Sequence, residues 1–326
     1  MGWRTRHILA MALRDMAEQS PKMKITIGIP CYNAERWIRQ AIQSALDQRG
    51  VEPEVIVVDD GSTDSSRAAV REFSGSVRLI EGGHRGANHA RNLILKNATG
   101  EWVQYLDADD YLEPQKISTQ LKEARGETDV IYSPVWIETT TAAKTTREQS
   151  RTSPEEDIFT QWIRWHIPQT GGALWRREPL RKLSWREEQP CCQEHELYLA
   201  ALQAGLRFEY TPTPGAVYRI WSEETLCRKD PVLVTRVRTG LMERMLDWLK
   251  QEGKFKPQHR REIAQACFEM ARTWARFNLA EATKYHDQRR AKGLIHLAGP
   301  AAPWKYRIAY HFLGFARAEK LASATR

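Results

Sequence analysis

The stretch Gly100-Glu101-Trp102-Val103-Gln104-Tyr105-Leu106-Asp107-Ala108-Asp109-Asp110 decides how this chain is read. An apolar, strand-forming run leads straight into three carboxylates within four positions. Crowded carboxylates resist ionisation unless a positive charge sits among them. The C-terminal edge of a buried strand is where open α/β sheets bind ligands. A divalent cation carrying a diphosphate meets both conditions, because hard oxygen ligands and phosphates suit Mg²⁺ or Mn²⁺. A strand followed by a solvated acidic turn accounts for the same letters without a metal, since Asp is a common turn residue. The neighbouring segments decide between the two.

Around this stretch, residues 23–133 alternate short apolar strands with helical periods, the pattern of βαβ units and a mainly parallel sheet. Ile25, Ile27 and Ile29 share one face of a first strand. Asn33 is positioned to cap a helix over residues 34–48, where Trp37, Ile38, Ala41, Ile42, Ala45 and Leu46 recur at helical spacing. Val55-Ile56-Val57-Val58 is the continuous apolar run of a strand buried on both faces, and it ends in Asp59-Asp60-Gly61-Ser62-Thr63-Asp64. A helix over 65–73, a strand over 77–80 and a helix over 87–97 follow. The polar, Thr-rich segment 139–157 reads as a loop. Residues 158–227 are mixed, with Gly171-Gly172 and a helix near 194–204. From about residue 231 the periods are helical: 234–250, 258–277, 280–292 and, beyond a Pro300–Pro303 break, 304–320.

Four of these segments resemble the signatures of family 2 glycosyltransferases with the GT-A fold. They are Ile29-Pro30-Cys31-Tyr32-Asn33, Val57-Val58-Asp59-Asp60-Gly61-Ser62-Thr63-Asp64, Gly86-Ala87-Asn88-His89-Ala90-Arg91-Asn92, and Leu106-Asp107-Ala108-Asp109-Asp110. The resemblance covers residues 23–125 and continues more loosely over 170–225. It implies a nucleotide-binding Rossmann-like domain that transfers a sugar from a nucleotide-diphosphate donor to a saccharide or lipid-linked acceptor. The implied reaction is metal-dependent, inverting and non-processive, in cell-surface polysaccharide or glycolipid synthesis. By the same resemblance Asp109 is the metal ligand, Asp107 lies near ribose and metal, and Asp60 hydrogen-bonds the base. Pro30 and Tyr32 line the nucleotide slot, and Arg91 touches the nucleotide or pairs with a carboxylate. Tyr218, Arg219 and Ser222 resemble the loop closing over the diphosphate, with Arg219 as a phosphate contact.

An inverting transfer needs a base for the acceptor hydroxyl. The family carries a Glu-Asp pair at a helix start, and the register of Leu197 and Gly205 sets Gln193 and Glu194 at those two positions. Glu194 is therefore the candidate base, with Glu196 and His195 as alternatives. Gln193, where an acid is usual, favours a competing view of the chain as a catalytically impaired sugar-nucleotide-binding or scaffold protein. Gln161-Trp162-Ile163-Arg164-Trp165 imitates the Q-x-x-R-W signature of processive members. It lies some thirty residues before Glu194 and is read as coincidence, with Trp162 and Trp165 buried or near the acceptor.

Composition bounds the rest. The chain has 326 residues, enough for one large or two modest domains. Its five cysteines lack framework spacing, which fits a reducing cytoplasm. No apolar run reaches the roughly 20 residues a membrane span needs. Net charge is +8, with residues 228–326 holding 21 Lys or Arg against 9 Asp or Glu. That basic helical tail lacks an aromatic–basic nucleic-acid motif. It does carry Trp304, Tyr306, Ile308, Tyr310, Phe312, Leu313 and Phe315, so peripheral contact with an anionic membrane on its inner face is one expectation. Simple packing on the catalytic domain is the other. The expected organisation is a poorly ordered lead-in over 1–22, a GT-A domain over 23–228 and a basic helical region over 229–326. Within the GT-A domain the nucleotide half is 23–133 and the acceptor half 134–228.

Overall fold

The computed structural model describes residues 22–141, 144–221 and 230–324. The lead-in and Ser222 fall outside the described residues. Strands β1 (Lys24–Cys31), β2 (Glu52–Asp59) and β3 (Val77–Glu81) alternate with helices α1 (Ile38–Leu46), α2 (Ser66–Arg71) and α3 (Ala87–Asn97), and β4 (Trp102–Tyr105) carries the Asp cluster at its C-terminal end. Then come β5 (Tyr111–Leu112), α4 (Lys116–Glu123), β6 (Val130–Tyr132), β7 (Trp136–Thr140), β8 (Thr145–Gln149), α5 (Ile158–Ile163), β9 (Ala173–Arg176), α6 (Arg177–Leu180), α7 (Gln193–Gln203), β10 (Phe208–Tyr210) and β11 (Ala216–Ile220). Four helices end the chain: α8 (Pro231–Gln251), α9 (Pro257–Ala275), α10 (Leu279–Ala291) and α11 (Trp304–Ala324).

The main sheet runs β10-β6-β9-β4-β1-β2-β3. It is parallel except at β9, which is antiparallel to both β4 and β6. Ile25, Ile27 and Ile29 are buried beneath α1, and Ile56 and Val58 face the opposite layer, so both sides of the sheet are covered as the apolar runs require. A parallel sheet gathers its strand ends on one edge, and β1, β2 and β4 bring Cys31, Asp59-Asp60 and Asp107 there together. Gly100 makes the close packing of β4 on β1 possible, because a Cβ at that position would meet the Thr26 amide nitrogen at 2.4 Å.

Two expectations are corrected. Asn33 does not cap α1, which begins only at Ile38. It adopts φ 47° and its Oδ1 accepts hydrogen bonds from the Thr63 amide and hydroxyl, tying the loop after β1 to the loop after β2. Part of the polar segment 139–157 expected as a loop is instead strand: its first residues end β7 and 145–149 are β8, a hairpin in a second sheet ordered β5-β11-β7-β8. Its alternation was hidden because β8 is exposed along its whole length.

The helical tail shares the larger hydrophobic core with residues of the 134–228 segment. Met245, Leu246 and Phe268 are buried in the same cluster as Trp162, Trp175 and Tyr198. Arg244 pairs with Glu196 and Arg164 with Glu262 across the boundary. In α11, Gly314 at φ 74° breaks the helix; Tyr306 and Phe315 point inward, while Trp304, Ile308, Phe312 and Leu313 lie on the surface. Among the described residues no helix is long and apolar enough to cross a membrane.

Candidate active site

Two cavities meet at the Asp cluster. One, of about 420 Å³, is lined by Pro30, Tyr32, Asp60, Arg91, Asp107 and Asp109 among others. The second, of about 550 Å³, is lined by Arg91, Asp107, Asp109, Gln193, Glu194 and Arg219 among others. Among the described residues, all the candidates except Glu196 are therefore brought to one cleft, with Asp107 and Asp109 common to both halves.

The first half is built by side chains that stitch loops together. Asp64 accepts from the amides of Glu35 and Ser66, Ser62 Oγ accepts from the Asn33 amide, and Ser66 Oγ accepts from the Ala34 amide. Asp60 takes the amides of Arg85 and Gly86 at 2.7 Å each, holding the glycine-rich turn before α3 against the end of β2. Tyr32 stays half exposed, its ring 5.1 Å from that of His84.

Arg91 is the hub. Its side chain is 4% exposed, and it donates to Asp107 Oδ1 at 2.7 Å, Gln193 Oε1 at 2.7 Å and Asn88 Oδ1 at 3.1 Å, with the guanidinium 4.6 Å from the Trp185 ring centre. Of the two roles expected for it, the carboxylate pair is the one formed. Gln193 joins the helix of the candidate base to this hub, while Arg91 keeps its ion pair with Asp107.

Asp109 Oδ2 accepts from the Trp221 indole at 3.0 Å. Burial, and next the charge of Asp107, raise its carboxyl above the ordinary range. Asp110 is more deeply buried, and burial followed by Asp109 and Asp107 push it well above that range. Arg219 is 7% exposed and committed to the protein: it donates to the Asp109 carbonyl and Gln40 Oε1, approaches Glu138 at 3.5 Å, and lies over the rings of Tyr111 and Trp37. Its amide also donates to Asp110 Oδ1. Arg219 thus pins the Asp loop while lining the second cavity.

Glu194 stands in the first turn of α7, its Oε1 accepting the Thr170 hydroxyl at 2.6 Å. Thr170 and the following Gly171-Gly172 form a tight turn; a Cβ on Gly172 would lie 2.5 Å from Pro168 Cβ. Glu196 is buried and held by Arg244 at 2.5 Å, outside the cleft. His195 reaches the second cavity, sandwiched on Trp165 at 3.8 Å between ring centres. Gln161 and Trp162 are buried, Gln161 donating to Tyr132 and to two carbonyls and Trp162 to the His195 carbonyl.

Trp221 and Thr170 escaped the sequence reading, as did the contact of Gln193 with Arg91. Each acts on an already chosen residue through a contact 24 to 112 positions away, and neither helical nor strand periodicity marks them.

Residues 26–184 match the model of the glycosyl transferase family 2. That segment is a family 2 glycosyltransferase domain. An uncharacterised glycosyltransferase of Nostoc is 32% identical over 172 residues, 49% of this chain and 53% of the relative. The chain thus spans about half the length of that relative and smaller shares of several others it matches. Among solved structures, Staphylococcus aureus TarS with UDP-GlcNAc aligns at a TM-score of 0.59 and 16% identity over 93% of each chain. A mannosyltransferase of Pyrobaculum calidifontis with GDP-Man and Mn²⁺ aligns at 0.53 and 19%, over 98% of this chain and 93% of that one. Both share the GT-A architecture of the family 2 domain and its helical continuation.

A carboxyl whose native pKa is raised keeps a proton that the unfolded chain has already lost, so stability falls as pH rises through that interval. The protein without metal should therefore lose stability as pH climbs above the ordinary carboxylate range. Asp110→Asn, which still offers Arg219 an acceptor, should flatten that slope in denaturant titrations at a series of pH values. An unchanged slope would mean that Asp110 is ionised in the native protein.

Proposed function

We propose that the protein is a metal-dependent, inverting, non-processive glycosyltransferase that takes its sugar from a nucleotide-diphosphate donor. The observation that carries this reading is the shared wall of Asp107 and Asp109 between a nucleotide-sized cavity and a second cavity containing Glu194. The bound UDP-GlcNAc and the GDP-Man with Mn²⁺ of the two structural neighbours agree with that donor class.

The residues fit a divalent cation. Burial and the charge of Asp107 raise the cost of ionising Asp109, which a bound cation would relieve. Among the described residues no group of three or more His, Cys, Asp or Glu could hold a metal by itself. Two carboxylates that leave coordination positions to phosphates and water are what Mg²⁺ and Mn²⁺ use at substrate sites. The cation, when bound, supplies Lewis-acid stabilisation of the departing diphosphate.

The chain's own groups do the remainder. Asp60 and Tyr32 border the slot for base and ribose. Arg91 holds Asp107 in one orientation, and Arg219 with Trp221 holds Asp109. Glu194, oriented by Thr170, accepts the acceptor's hydroxyl proton as that oxygen bonds to the anomeric carbon. The bond from that carbon to the diphosphate oxygen breaks, and its electron pair leaves with the nucleoside diphosphate. A single displacement of this kind inverts the anomeric centre. The engaged Gln193 and open Glu194 speak for an active enzyme over an impaired scaffold, and the burial of Gln161 and Trp162 speaks for non-processive transfer.

Assayed with Mn²⁺ against UDP-, GDP- and dTDP-sugars, Asp109→Asn should lose metal-dependent donor binding and turnover. Glu194→Gln should lose about 10²- to 10⁴-fold in turnover while still binding donor. Full activity of either variant, or wild-type activity in excess EDTA, contradicts its assigned role. An inactive Glu196→Gln beside an active Glu194→Gln would move the base by two residues.

We also infer peripheral contact of α11 with anionic lipid, supported by the exposed Trp304, Ile308 and Phe312 at four-residue spacing beside Lys305 and Arg307. Sedimentation with vesicles should recover the protein with anionic and not with neutral lipid, and less at high salt. Equal recovery in the supernatant throughout would refute the contact.

A further inference from the structure

The arginines at the second cavity and beside it fall into two kinds. Arg91 is paired with Asp107, Arg219 with Glu138, and Arg186 and Arg244 with Glu196. Arg238 differs. It projects from α8 into the second cavity with its guanidinium carbon 4.4 Å over the Trp165 ring. Among the described residues no carboxylate lies within ion-pair distance of it, and its Nε is buried without a protein hydrogen-bond partner. A cation–π contact fixes an arginine in place and leaves its charge uncompensated.

The surroundings reinforce this. Trp165 is held between Arg238 on one contact and His195 on another, with φ at 60°, a conformation a tryptophan adopts only when its neighbours impose it. The His195 ring, whose Nε2 is also buried without a protein partner, borders the same cavity. Burial, together with the charge of Arg238, pulls His195 well below the usual imidazole range, so it stays neutral at pH 7 and adds no second cation. Each carboxylate on the cavity wall accepts a hydrogen bond from a residue other than Arg238: Asp107 from Arg91, Asp109 from Trp221, and Glu194 from Thr170.

We propose that Arg238, clamped on Trp165 beside His195, is an anion-binding subsite in the acceptor half of the cleft, so that the acceptor carries a carboxylate or phosphate group close to the hydroxyl that receives the sugar. The inference rests on the transferase reading for the word acceptor. The binding site itself stands on the cavity and the uncompensated guanidinium. A planar guanidinium on the wall of a cavity suits either oxyanion, and discriminates against a neutral sugar that offers only hydroxyls.

The test is calorimetric titration of the full chain with methyl glucoside, methyl glucuronide and glucose 6-phosphate. Each titration is run with and without a saturating nucleoside diphosphate and Mn²⁺. At least one anionic probe should bind wild type tenfold or more tightly than methyl glucoside, and which one does separates carboxylate from phosphate. Arg238→Gln should abolish that preference and Arg238→Lys should retain part of it, while the nucleoside diphosphate affinity stays at the wild-type value in both. Equal binding of all three probes to wild type, or a preference surviving in Arg238→Gln, overturns the subsite. Anion preference without any nucleoside diphosphate binding would keep the subsite and sink the transferase reading; the reverse result would do the opposite.

Discussion

A buried arginine must be answered by a carboxylate, and in this protein that constraint organises the cleft. Arg91 sits on α3, nearly free of solvent, and reaches Asp107 after β4 and Gln193 at the start of α7. Removing one partner of such a pair leaves an unpaired charge in low dielectric, a loss of about 3–5 kcal/mol. The pair therefore fixes three elements from distant parts of the chain in one arrangement. The Asp107 carboxylate and the start of α7 are held by the same guanidinium, which ties the walls of the two cavities together.

Arg219 performs the matching task on the other side. Its amide and guanidinium hold Asp110 and the Asp109 carbonyl, and it reaches across to Gln40 near the start of α1. A strand of the second sheet is thereby locked to the carboxylate loop of the first. The result is a rigid acidic centre whose one uncommitted asset is negative charge. That is an unstable condition for carboxylates alone and a favourable one for a cation with phosphates.

The sequence made the sheet and the acidic edge legible because both depend on local regularity. Ile25, Ile27 and Ile29, the Val55–Val58 run and the period of α3 each follow from backbone repeat alone, and α3 was located to the residue. The candidate residues were legible for a related reason: they sit at strand ends, where apolar runs stop at Asp60 and Asp107. What failed was decided by long-range contacts. Asn33 looked like a cap until Thr63 claimed it. The contacts of Arg219 with Gln40, Glu138 and two aromatic rings were equally out of reach of the sequence. Trp165 sat inside a misleading motif, and its contact with Arg238 joins positions more than seventy residues apart, which no periodicity reveals.

The central claim is that Asp107 and Asp109 form half of a metal site and that the nucleotide's diphosphate completes it. Mn²⁺ binding followed by electron paramagnetic resonance, with and without UDP or GDP, addresses it most directly. The account predicts weak binding of Mn²⁺ alone and at least tenfold tighter binding with the matching nucleoside diphosphate, with the nucleotide's own affinity raised by the same factor. Nucleotide binding of equal strength in Mn²⁺ and in EDTA would contradict it.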